Sequence, residues 1–170
     1  MSTRSLIGRL NADGTVTYVY CHYDGYLDGV GAKLHDFYQD ASKVDELIGL
    51  GSLSSIGEHI GEKHDFNWME NIWNEHGYDP RTYSTEVKAK YDRLNSMTLA
   101  YHRDRGEKFA DEIVKDEAAF WVADQWTEYW YLFKDGSWWV KCYDAEPLLL
   151  TAAIELEEAN AEGNDLEAAE

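Results

Sequence analysis

Long hydrophobic runs are missing from this chain. No stretch of roughly 18 apolar residues occurs, so no membrane-spanning helix is expected. Cysteine is scarce: Cys21 and Cys142 are the only two, and they lie far apart in sequence. That excludes a disulfide-rich secreted scaffold. Met1–Ser5 leads into no apolar segment, so no secretory signal is expected and a reduced, cytoplasmic setting is the default. Both cysteines fall in strand-like patterns, which is where buried free thiols are expected. The 2 prolines rule out a Pro-rich linker. Positive charge is the last scarcity. There are 15 Lys and Arg against 33 Asp and Glu, for a net charge of −18. This disfavours direct nucleic-acid binding, which needs a basic surface. It fits an acidic body that competes with nucleic acid for a basic protein. The segment after Lys141 holds nine acids and no Lys or Arg, so half the net charge sits there.

Motifs with fixed chemistry are also missing. There is no C-x-x-C and no H-E-x-x-H. Cys21, His22, His59, His64, His76 and His102 therefore lack metal-ligand spacing, and neither a metal nor a cofactor is expected. Ser54 and Ser55 do not lie in G-x-S-x-G, and no catalytic residue is assigned.

What is abundant is aromatic surface, with 7 Trp and 12 Tyr in 170 residues. Leu6–Leu10 and Thr15–Tyr23 alternate around Asn11-Ala12-Asp13-Gly14, the pattern of a β-hairpin. Tyr129–Phe133 and Ser137–Tyr143 flank Lys134-Asp135-Gly136 in a second hairpin. Met97–His102 reads as one more strand. Helical spacing is expected over 32–38, over a second short helix capped by Ser42, near 68–76, over 107–118, and from Pro147 onward. The expectation is an α+β domain over 1–159. Its antiparallel sheet has about five strands, two hairpins plus one strand, with helices mainly on one face. Residues 58–96 form a helix-and-loop excursion. Residues 160–170 form an acidic, disordered tail.

Three stretches attract functional readings. Val19–Gly31 runs from a strand through glycines 25, 29 and 31 into a helix. His22, Asp24, Tyr26, Gly29 and Gly31 there are candidates for holding a small ligand or phosphate on loop amides. Arg103 and Arg105 would join them across the sheet end, and such a small-ligand or phosphate-binding domain, conceivably an enzyme, is the alternative to binding a host protein. Trp130, Trp138 and Trp139 are candidate anchors for a protein partner, because a pleated strand turns alternate residues away from the core.

Three blocks carry a resemblance. The first is Ser2-Thr3-Arg4-Ser5-Leu6-Ile7-Gly8 followed by Tyr20-Cys21-His22-Tyr23-Asp24-Gly25-Tyr26 and Gly29-Val30-Gly31. The second is Ala100–Glu107, and the third Glu128–Phe133 with Gly136 and Trp138. Together they resemble a family of small uncharacterised proteins of bacteriophages and bacterial mobile elements, which read S-T-R-x-x-I-G and then Y-x-H-x-D-G-Y-x-x-G-V-G. The resemblance implies a phage or prophage accessory protein in the host cytoplasm, with a host protein as partner.

Overall fold

The computed structural model describes residues 2–167, and side chains as far as residue 163. The two hairpins form as their alternation demands. β1 (Ser5–Leu10) and β2 (Val16–Cys21) pair antiparallel around Gly14, whose φ is +86°. β6 (Tyr129–Lys134) and β7 (Ser137–Cys142) pair around Asp135-Gly136. Both of those turn residues have positive φ, 51° and 74°, which matches the twist of the flanking strands.

The hairpins join side by side through β1 and β6, in parallel, with Ser5 opposite Tyr129 and Arg9 opposite Phe133. Four short strands extend the sheet: β3 (Leu53–Ser55), β4 (Leu99–Ala100), β5 (Glu112–Val114) and β8 (Leu148–Leu149). The order is β4-β3-β2-β1-β6-β7-β8, with β5 on β2 beside Val16–Tyr18. The α+β class is as expected, but the sheet is mixed and eight-stranded rather than antiparallel and about five-stranded. The added strands are two or three residues long, too short to show a period of two.

Alternation divides the side chains between two faces. Ile7, Val19, Cys21, Tyr131, Phe133, Trp138 and Val140 meet α1 (Ala32–Phe37), α2 (Ala41–Ile48) and α7 (Leu150–Glu167) in the largest apolar cluster. Leu6, Tyr18, Trp130 and Leu132 on the other face pack on Phe120 of α6 (Glu117–Phe120). A third cluster lies beside the sheet. There Trp68 and Ile72 of α3 (Trp68–His76) meet Leu94 of α4 (Thr85–Asn95) and Leu99. The helix expected near 68–76 is α3 itself, and the excursion 58–96 ends in α4.

Several local expectations need correction. Ser42 is not the cap of α2: the Asp40 carboxylate accepts from the Ser42 and Lys43 amides. The strand expected at 97–102 stops at Ala100, and Tyr101–Arg105 is a short helix, α5, closed by Gly106 at φ +72°. The helix expected over 107–118 is a loop, then β5, then α6. β-branched Ile113 and Val114 find backbone partners on β2, and Asp116 caps α6 by accepting from the Ala119 amide at 2.8 Å. Pro147 precedes β8, so α7 starts only at Leu150. The helix then runs through 160–167, part of the stretch expected as a disordered tail, where Ala and Glu are strong helix formers. Residues 168–170 of that stretch lie outside the described residues. Among the described residues, no helix is long and apolar enough to cross a membrane.

Candidate functional site

β2 ends at Cys21, and the chain keeps to the sheet for two more residues. The His22 and Tyr23 amides donate to Leu53 O and Ser54 O, each at 3.0 Å. Asp24 then turns the chain in the left-handed region, at φ 58°. Asp tolerates that conformation better than most residues, because its short side chain supports the turn. Gly25 follows, and its amide donates to Thr3 O at 2.9 Å. A Cβ on Gly25 would lie 2.9 Å from Thr3 O and the Arg4 carbonyl carbon, so only glycine lets the N-terminal segment seat there. The Arg4 amide in turn donates to the Glu128 carboxylate at 2.6 Å, and the Tyr131 hydroxyl to Gly25 O at 2.8 Å. The first and third motif blocks of the sequence are thus one physical corner.

Leu27–Gly31 winds as a single π-helical turn into α1. Three of its amides are consumed locally. Gly29 and Gly31 donate to Tyr26 O, and Val30 donates to Asp24 O at 2.7 Å. With the Gly25 amide also taken, the amides of Gly25, Gly29, Val30 and Gly31 form no cradle for an anion. Gly29 is fixed by the same closeness, since a Cβ there would lie 2.2 Å from Asp24 O.

The outer side of this corner opens on a cleft. One part, of about 190 Å³, is lined by Tyr23, Asp24, Tyr26, Asp28, Gly29, Lys33, Ser55 and Ile56. A larger part, of about 410 Å³, shares Tyr23, Asp24, Lys33, Ser55 and Ile56 and continues to Phe66, Trp68, Met69, Met97 and Leu99. Tyr23 is 48% and Tyr26 37% exposed. The Tyr26 hydroxyl donates to Asp24 Oδ1 at 3.1 Å. Lost hydration and that hydrogen bond both raise the Tyr26 phenol above its ordinary value, so it stays a donor at neutral pH. The cleft therefore offers two carboxylates, one ammonium, two tyrosine rings and an apolar end wall.

The sequence candidates do not all arrive here. Asp24, Tyr26 and Gly29 do, whereas Gly31 is buried against Tyr131 and Leu150. His22 follows Tyr20 in the strand alternation, and its Nδ1 lies 2.6 Å from the Tyr20 hydroxyl. Neither Arg103 nor Arg105 lines the cleft. Arg103 is half-buried and spends its guanidinium on Asp104 Oδ1 (2.9 Å), Ile60 O (2.8 Å) and Thr98 O (2.5 Å). Arg105 lies over the Phe66 and Tyr101 rings and pairs with Glu107. Trp130 and Trp138 are buried and donate to Ala123 O and Tyr38 O, each at 2.8 Å. Trp139 lies under the Lys134 ammonium at 4.4 Å. Trp130 and Trp138 thus pack within the chain instead of standing out as anchors, and Trp139 is half-buried. The sheet's second face, which alternation turns away from α1, α2 and α7, is covered by α6 and its flanks.

Sequence reading missed Lys33, Phe66 and Trp68 in the cleft. Lys33 had a signal: it lies four residues after Gly29, one helical turn on, and so shares its face. Phe66 and Trp68 had none, because they come from a distant segment.

Asp104, between the two candidate arginines, turns inward. Its side chain is fully buried and accepts from the Ala100 amide (2.8 Å), the His64 amide (3.2 Å) and Arg103. Burial works against its charged form. The Arg103 guanidinium and the two amides outweigh burial and hold the carboxyl below its ordinary value. This clamp ties residues 60–64 to β4 and α5. Burial also pushes the Cys21 thiol up to about 12 and the Cys142 thiol up to about 11, which leaves both protonated and unreactive at neutral pH. Among the described residues, no three His, Cys, Asp or Glu side chains gather as a metal site. Comparison with known proteins returns no matching family model, no matching curated protein and no matching solved structure.

Proposed function

We propose that this chain is a phage or mobile-element accessory protein that acts by binding a host protein, as an acidic competitor of nucleic acid for a basic surface. The observation that supports this reading is the charge layout on α7. From Glu155 to Gly163 every residue is exposed, and Glu155, Glu157, Glu158 and Glu162 lie in that arm with no Lys or Arg among them. A helical arm of exposed carboxylates presents negative charge as a nucleic-acid backbone does, and would steer a basic partner. The apolar contacts would come from exposed side chains such as Trp126, 69% exposed, and Tyr78, 77% exposed.

The test is a salt series on the complex captured from host extract. Exposed ion pairs are screened over about 10 Å at 0.1 M salt, so retention should fall steeply between low and moderate salt. Replacing Glu155, Glu157, Glu158 and Glu162 by Gln should weaken it further. A complex indifferent to salt and to these changes would sink the reading.

A second reading, a small-ligand domain, is supported by the left-handed Asp24 at the mouth of a cleft. Strained non-glycine residues gather at ligand sites. On this reading Asp24→Asn removes ligand binding and barely moves the melting temperature.

A further inference from the structure

We infer that the corner cleft is a receptor for a cationic side chain, a guanidinium or alkylammonium, and that it seats an arginine or lysine of the partner. The inference deepens the acidic-competitor reading but rests on different residues, Asp24 and Asp28 rather than the α7 glutamates.

Three observations carry it. The smaller part of the cleft, about 190 Å³, has the volume for one long basic side chain and is bounded by Tyr23, Asp24, Tyr26 and Asp28. Two exposed tyrosine rings flanking carboxylates make a cation-binding arrangement, because the ring faces and the carboxylates all carry negative potential. Most of the glycine-loop amides and the Arg103 guanidinium, which would favour an anion, are committed elsewhere. The Gly25, Gly29, Val30 and Gly31 amides donate to backbone carbonyls, and Arg103 is bound to Asp104, Ile60 and Thr98. Among the described residues Lys33 is the one cation lining the cleft, and its charge offsets that of one of the two aspartates. An incoming cation would meet the like charge of the Lys33 ammonium in the same cleft, which makes Lys33 a brake on affinity.

Lys33 also makes the inference sharp. A cation site and an anion site give opposite signs at Lys33 and at Asp24. The experiment titrates N-acetyl-arginine methylamide, and separately inorganic phosphate, into the full chain and follows the Tyr23 and Tyr26 ring signals by NMR. The arginine derivative should shift both rings. Asp24→Asn, which keeps a residue tolerant of positive φ, should weaken it about tenfold, the equivalent of one lost charged contact. Lys33→Gln should tighten it severalfold. Replacing Glu158 and Glu162, farther along α7, by Gln should leave this titration unchanged while weakening the host complex. That contrast separates the cleft from the acidic arm and from general attraction to an acidic protein. Phosphate shifts that Lys33→Gln abolishes would overturn the inference. So would an arginine response that follows the α7 charges, or one indifferent to Asp24→Asn. A melting curve on each variant confirms that it is folded, and Tyr26→Leu supplies an independent loss of the ring contact.

Discussion

The layer of α1, α2 and α7 on the sheet and the α3–α4 excursion are built on different principles. The first is an apolar interior. Ile7, Leu34, Tyr38, Val44, Leu47, Tyr131 and Leu150 are closed to solvent and contributed from along the whole chain. The second buries few residues fully, Trp68, Ile72, Leu94 and Leu99, and leans on a polar clamp at its base. Arg103 and Asp104 reach across from α5 and collect the backbone of Ile60, His64, Thr98 and Ala100. Tyr38 couples the two regions: its ring is buried in the first, and its hydroxyl donates to Gly57 O at 2.8 Å where the excursion starts. The lesson is that a small apolar cluster can be held in place by a buried ion pair when the pair's hydrogen bonds go to the backbone of both joined segments.

The largest expected effect is at that clamp. Asp104→Asn leaves the Arg103 guanidinium half-buried beside a neutral group, and breaking such a pair costs about 3–5 kcal/mol. Hydrogen exchange should show amides of 64–99 losing protection while β1, β2 and β6 keep theirs. Equal loss everywhere would mean that the two regions open as one unit and the contrast fails. Leu34→Ala in the apolar layer should cost about 2–5 kcal/mol, lower the protection of both regions together, and lower the melting temperature outright. Ile72→Ala removes a side chain of similar size from the shallower cluster. About 2 kcal/mol is expected, the low end of that range, with the loss confined to the excursion in hydrogen exchange.

A pH series sharpens the same comparison. The Asp104 carboxyl is held below its ordinary value of 3.8. Its stabilisation is therefore complete above that value and drains away as pH falls through the lower, folded one. Protection of the excursion should thus weaken on acidification below about pH 4, and Asp104→Asn should flatten that dependence. The smallest effect is at the thiols. With Cys21 raised to about 12 and Cys142 to about 11, alkylation of the folded chain at pH 8 should be slow, and fast once denaturant is added.

How much of this was legible follows from where each signal lies. Val16–Tyr23 and Tyr129–Tyr143 announce themselves, since β-branched and aromatic alternation around Asp-Gly turns is a local property. The face assignment was legible too: Val16, Tyr18 and Tyr20 do share one side and Val19 and Cys21 the other. The pairing of β1 with β6 was not, because parallel register is set by tertiary packing across more than a hundred residues. β3, β4, β5 and β8 were not, because two or three residues carry no period. At the cleft, Asp24 and Tyr26 could be named from their glycine-rich setting, while Trp68 and Phe66 could not. Arg103 and Arg105 could be named as charges near the sheet end, yet neither lines the cleft. Nothing in Arg-Asp-Arg itself tells that the middle residue turns inward and takes Arg103 with it.

The parallel seam between β1 and β6 also fixes an order of events during synthesis. The first hairpin is complete at Cys21, but one edge of β1 stays unfilled until Tyr129–Phe133 has been made. Contacts of such long sequence separation form late and slowly. Until that stretch is made, the nascent chain carries an open strand edge, bearing Leu6 and Ile7 among its residues. The last third of the polypeptide is what closes it.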